Sequence, residues 1–159
     1  PWFENTLFVI TADHTNESVR SEFQNDFGSY CIPIIFYKSG SCLTGMKNRI
    51  SQQIDIMPSV LDYLNFDEEY IAFGNNLFDD SRESFAFNTN GSTYHLYMND
   101  HMLEMIDNQI AGLYNFRDDR MLAKNIKDNN DSLRIQMELK LKAVIQSYNN
   151  RLIDNNMIP

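Results

Sequence analysis

Thr6-Leu7-Phe8-Val9-Ile10-Thr11 runs directly into Ala12-Asp13-His14-Thr15, an apolar rod that ends in two adjacent side chains of metal-ligand type. A continuous apolar run without polar alternation predicts a strand covered on both faces, and in open α/β sheets ligands gather at the carboxyl ends of such strands. Aspartate offers a hard oxygen and neutral imidazole a nitrogen, a pair suited to zinc or manganese. An irregular turn after the strand can aim both at one ion. The competing reading is a plain turn, because an Asp-His dipeptide occurs by chance and either residue can cap one.

The polar stretch from Asn16 to Ser29 carries Val19, Phe23 and Phe27 at four-residue spacing, which predicts a short helix seated on the body. Cys31 to Tyr37 reads as a second apolar strand, with Pro33 near its start where a ladder donor is least missed, and Ser39-Gly40-Ser41 ends it. Asp55 to Leu64 reads as a helix with Asp55 as N-cap and Pro58 in the first turn. Its inward stripe is expected to be Ile56, Val60 and Leu64, flanked by Met57 and Leu61. Asp67 to Asp80 is loop-like.

From Glu83 the period changes to two. Four short strands, Ser84–Phe87, Thr93–Met98, Met102–Ile106 and Ile110–Tyr114, are separated by Asn90-Gly91, Asn99-Asp100 and Asp107-Asn108. Those dipeptides are hairpin-turn residues, so the segment predicts a four-stranded antiparallel meander. Behind the capping candidates Asn130 and Asp131, Leu133, Met137, Leu141, Val144, Tyr148 and Leu152 recur at three- and four-residue intervals, a long amphipathic helix. Burying each of these side chains contributes at most about 1.5–3 kcal/mol, against about 1–2 kcal/mol of backbone ordering for every helical residue. The helix must therefore dock, and the meander is the expected platform. The predicted fold class is α/β: residues 1–80 as an incomplete catalytic α/β part, and residues 81–159 as a meander-plus-helix subdomain.

The 159 residues are 43% hydrophobic, enough for a real core. A start at Pro1 with a core strand following closely reads as a piece of a longer polypeptide. The net charge of −9 disfavours nucleic acid as partner, since that binding rests on clustered Lys and Arg. No apolar stretch approaches the roughly 20 residues of a membrane span, and no basic-then-apolar leader is present, so the segment is expected to be soluble. Cys31 and Cys42 lack C-x-x-C spacing and read as two free thiols, a bridge being the alternative in an exported parent.

Asn5-Thr6-Leu7-Phe8-Val9-Ile10-Thr11-Ala12-Asp13-His14-Thr15 resembles the "NTlfvitaDHg" stretch of the sulfatase and alkaline-phosphatase superfamily. Three further resemblances follow in that family's order. Ile32 to Tyr37 is similar to its "vPliiy" strand, Ser51 to Leu61 to its "vsqiDiaPTiL" helix entry, and Gly112 to Asp119 with Asn125-Ile126 to its closing "LYdl..DP.e..Nl" block. Within the superfamily the sequence looks most like lipoteichoic-acid-synthase-like phosphoglycerol or phosphoethanolamine transferases. These are membrane-anchored enzymes with an extracytoplasmic catalytic domain.

The resemblance implies an alkaline-phosphatase-like fold and a divalent metal (Mn, Zn, Mg or Ca) completed by Asp13 and His14. It further implies attack on an anionic phospho- or sulfo-ester substrate by a metal-activated Thr, or by formylglycine in true sulfatases. The nucleophile and an early acidic ligand lie upstream of the matched strand in that family. This chain would thus need the upstream half of the same polypeptide, and would by itself be inactive and bind metal weakly. Membrane contact is expected only through segments outside this chain, with the parent on the extracytoplasmic face of the cell envelope. Thr15 stands where glycine is common, which could turn a hydroxyl toward the site, and neither cysteine matches the formylglycine position. An arylsulfatase and a non-catalytic interaction module are the alternatives.

Other residues carry plainer expectations. Asp55 is expected to be a helix cap, His95 a surface histidine, His101 a structural turn residue, and Lys38, Lys47 and Arg49 part of a solvated loop.

Overall fold

The computed structural model describes residues 1–15 and 20–158. They form a mixed α/β architecture with a two-stranded sheet, a four-stranded antiparallel sheet and a long C-terminal helix. The chain divides into two compact units, the first ending at Arg49 and the second beginning at Ile50. Residue 80, the expected subdomain boundary, lies inside the second unit, in the loop between the helix Ile56–Tyr63 and the strand Phe85–Asn90.

In the first unit, strand β1 (Phe8–Thr11) pairs antiparallel with β2 (Ile34–Tyr37), Phe8 opposite Tyr37 and Thr11 opposite Ile34. β-Branched and aromatic side chains favour this pleated pairing. Alternation puts Val9 and Phe36 on one face and Phe8, Ile10, Ile35 and Tyr37 on the other. The sequence predicts β1 covered on both faces; instead Ile10 is 54% exposed and Ile35 47%. A two-stranded ladder gives β1 one neighbour, and the described residues of this unit lay no second layer over Ile10. Trp2, Phe3, Phe8 and Tyr37 pack their rings together at centroid distances of 5.5–6.3 Å, fastening the entry of the chain to the strand pair.

The helix expected from Val19, Phe23 and Phe27 is replaced by two 3-10 turns, Ser21–Phe23 and Gly28–Tyr30; Val19 lies outside the described residues. The cause is Asn25, whose side-chain oxygen accepts the N–H groups of Phe27 (3.1 Å) and Gly28 (2.8 Å) and so substitutes for helical bonding. The second strand starts later than expected because Cys31 closes the second turn by donating its N–H to the Gly28 carbonyl (3.1 Å). Cys31 and Cys42 are free thiols.

In the second unit, a 3-10 turn (Gln53–Asp55) continues into helix α1 (Ile56–Tyr63). Asp55 occupies the N-cap position, but its side chain does not cap α1 as the sequence predicts. Its carboxylate accepts the N–H of Gln52 (2.8 Å), closing a capping box, and the N–H of Asn75 (2.6 Å). The buried face of α1 is likewise Pro58 and Ser59, while Met57 and Leu64 of the expected stripe are exposed. Ser59 Oγ donates to the Asp55 carbonyl (2.6 Å) and accepts the N–H of Leu77 (2.8 Å). The returning loop at 75–77 thus needs acceptors, and α1 turns its polar side to provide them.

The meander forms as the period-two pattern predicts, with β3 (Phe85–Asn90), β4 (Thr93–Met98), β5 (His101–Ile106) and β6 (Gln109–Asn115) in that spatial order. Asn99, Asp100, Asp107 and Asn108 all have positive φ, the left-handed pair that type I′ hairpin turns require. Helix α2 (Asp131–Ile153) begins at Asn130, whose side chain accepts the N–H of Leu133 (3.4 Å). It docks on the meander: Met137 and Leu141 are fully buried in one cluster with Phe85, Leu96, Met98, Leu103, Met105 and Leu113. Tyr148 and Leu152, expected in the same stripe, are about half exposed, because the part of α2 packed on the meander ends around Val144 and Ile145; Tyr148 instead meets the Phe73 ring edge-on at 5.4 Å. Among the described residues, no helix is long and apolar enough to cross a membrane.

Candidate metal-binding pair

At Thr11 the β1 ladder ends, and Ala12 leads into a bend that carries Asp13 and His14. The bend is closed locally, since the His14 N–H donates to Asp13 Oδ1 (2.9 Å). It is anchored by Thr15, whose N–H (3.1 Å) and hydroxyl (2.9 Å) both donate to the Ser29 carbonyl on the second 3-10 turn. The Thr15 hydroxyl is therefore engaged in holding the loop rather than turned toward Asp13 and His14.

The imidazole is oriented by its neighbour. His14 Nδ1 lies 2.7 Å from the Thr15 carbonyl oxygen, which can only accept, so Nδ1 bears the hydrogen. In the neutral ring the free lone pair is then on Nε2. Nε2 stands 3.4 Å from Asp13 Oδ2. Ligands about 2.0–2.2 Å from a tetrahedral ion are roughly 3.3–3.6 Å apart, so the two atoms are spaced to share one cation. A backbone carbonyl on the far ring nitrogen is also the usual orienting partner of a metal-binding histidine. The donor pair fits a divalent ion, supplying half of the usual four ligands. Both side chains are open to solvent, Asp13 85% and His14 68% exposed, which leaves room for ligands from elsewhere.

The remaining titratable residues sort differently. Asp55 is consumed by two backbone N–H groups and is 2% exposed, so its carboxylate is a structural acceptor. His101 Nδ1 bonds to the Asn99 carbonyl (2.6 Å), the turn role expected of it. Within the Gly112–Asp119 block, Arg117 donates to Asp100 (2.8 Å), and this bond raises the guanidinium above its ordinary value. Asn125 ties the following segment to β6 by accepting the Leu113 N–H (3.2 Å) and donating to the Ala111 carbonyl (3.1 Å).

His95, expected at the surface, is only 4% exposed. It sits in a cross-strand row with Asn88 on β3 and Glu104 on β5, its direct partners in both ladders. Asn88 and Glu104 are the residues that sequence reasoning missed. Counting register outward from the Asn99-Asp100 turn would have set Glu104 opposite His95, but counting from Asn90-Gly91 would not have found Asn88, because the observed turn lies one residue on, with Asn90 already paired to Thr93. No protein-family model matches the chain, and no curated protein matches it.

Proposed function

We propose that this chain is the C-terminal portion of a metal-dependent enzyme that cleaves or transfers phospho- or sulfo-ester groups, with Asp13 and His14 as two ligands of its divalent ion. The observation that supports the reading most is the convergence of Asp13 Oδ2 and His14 Nε2 at 3.4 Å, with the imidazole tautomer set by the Thr15 carbonyl. A divalent ion held there supplies Lewis-acid chemistry, lowering the pKa of a hydroxyl nucleophile and offsetting charge on phosphoryl or sulfuryl oxygens. The chain's own part is to present the two donors: β1 sets their position, the bend aims them and Thr15 fixes the loop. The nucleophile and the remaining ligands belong to the upstream half of the polypeptide.

The sequence resemblance favours phosphoglycerol or phosphoethanolamine transfer, on the extracytoplasmic face of the cell envelope, over sulfate-ester hydrolysis. The test is turnover by the chain joined to its upstream sequence, assayed in parallel on phosphatidylglycerol and on an aryl sulfate. Loss of turnover of at least about 100-fold in Asp13→Asn and His14→Gln is expected, with activity on the phospholipid alone. Activity on the aryl sulfate alone selects the arylsulfatase. Unchanged turnover in both variants rejects the assignment of these residues.

A further inference from the structure

The row Asn88–His95–Glu104 holds a second pair of donor atoms, independent of Asp13 and His14. His95 Nδ1 lies 3.0 Å from Asn88 Oδ1, and the orientation of that amide is set by Asn88 Nδ2 donating to the Tyr97 hydroxyl (3.2 Å). An amide oxygen accepts, so Nδ1 carries the hydrogen and the lone pair of neutral His95 is on Nε2. Nε2 is buried, has no hydrogen-bond partner among the described residues and faces Glu104 Oε1 at 3.5 Å. Two lone-pair atoms held face to face in a buried setting repel unless something positive lies between them. A proton shared by imidazolium and carboxylate would draw them to about 2.7–2.9 Å. The observed separation is instead that of adjacent ligands on one first-row ion, roughly 3.3–3.6 Å.

We propose that His95 Nε2 and Glu104 Oε1 bind a divalent transition-metal ion of the zinc type on the meander, tying β4 to β5. The nitrogen–carboxylate donor set suits zinc better than calcium or magnesium, which prefer oxygen throughout. Asn88 acts as the orienting partner, holding the ring in the tautomer that leaves Nε2 free. Glu104 is the more accessible of the two, its side chain 19% exposed against 5% for His95, and so gives the ion its route from solvent.

The test is a zinc chloride titration of the 15N-labelled full chain, followed at the imidazole nitrogens by long-range 1H–15N correlation, with thermal melts alongside. Saturable movement of the His95 Nε2 resonance, a melting temperature that rises with zinc, and persistence of both in an Asp13→Asn/His14→Gln double variant are the expected results. Glu104→Gln, nearly isosteric, should weaken zinc binding at His95 by at least about tenfold, and Asn88→Ala by about 10–100-fold. The Glu104→Gln melt without zinc separates lost folding from lost binding. A His95 ring protonated on both nitrogens at neutral pH and unmoved by zinc identifies an imidazolium–glutamate pair and overturns the proposal. So does a response that disappears in the Asp13→Asn/His14→Gln variant.

Discussion

His14 Nε2 stands 3.4 Å from Asp13 Oδ2 while its other ring nitrogen is bonded to the carbonyl of Thr15. The loop is anchored to the rest of its unit through the Thr15–Ser29 bonds, and the bond that Asp13 itself makes, from the His14 N–H to Oδ1, is local and retained by an asparagine. Chemistry and stability are therefore separable at this end of β1. Asp13→Asn and His14→Gln should each change unfolding free energy by no more than about 0.5 kcal/mol, as exposed substitutions usually do. Urea denaturation checks this, and a large loss in either variant would mean that the pair is a structural element.

Asp55 presents the opposite case. Its carboxylate gives acceptors to two N–H groups from separate segments, Gln52 and Asn75, in a site almost closed to water. Asp55→Ala strands both donors and should cost about 2–4 kcal/mol. Asp55→Asn keeps one oxygen and should cost less. The order of the two midpoints in urea is the measurement.

Gly74 passes against the backbone at Ile54 and Asp55, and a methyl group there would be driven into the Ile54 carbonyl. Backbone cannot step aside as a side chain can, so Gly74→Ala should destabilise by about 1–3 kcal/mol or more. At Gly112 the nearest atoms to an added methyl group belong to the Tyr114 ring, a side chain that can shift where backbone cannot, so Gly112→Ala should cost less. Thermal melts of the two variants would rank them.

Docking of α2 rests on Met137 and Leu141, both fully buried against the meander, whereas Leu139 points outward. Met137→Ala or Leu141→Ala should cost about 2–5 kcal/mol and Leu139→Ala less than about 0.5 kcal/mol. Equal losses would mean that the helix does not use this face.

The meander was legible because its signals are local: alternation sets the faces, and Asn-Asp and Asp-Asn pairs supply the left-handed turns. The start of α2 was legible for the same reason, a capping asparagine ahead of an apolar stripe. Its end at Ile153 follows the periodicity through Leu152, but the limit of its packing on the meander was not legible, since Tyr148 and Leu152 continue the stripe beyond the sheet that α2 covers. Asn25 escaped notice because one side chain bonding to two amides outweighs an apolar spacing. Asp55 was correctly placed at the head of α1, yet its partner Asn75 lies far along the chain, beyond any local pattern. His95 was misjudged because alternation tells which face a residue is on and not whether that face is covered. Asp13 and His14 were visible as a pair; the Thr15 carbonyl that selects the free nitrogen was not.

The most direct measurement is Mn²⁺ broadening of backbone amides in the 15N-labelled chain carrying His95→Gln, which silences the second pair. At substoichiometric Mn²⁺ the expected result is selective broadening centred on Ala12 to Thr15, removed by adding Asp13→Asn and His14→Gln. Amides at 12–15 that stay sharp while others broaden, or broadening that survives both substitutions, would contradict it.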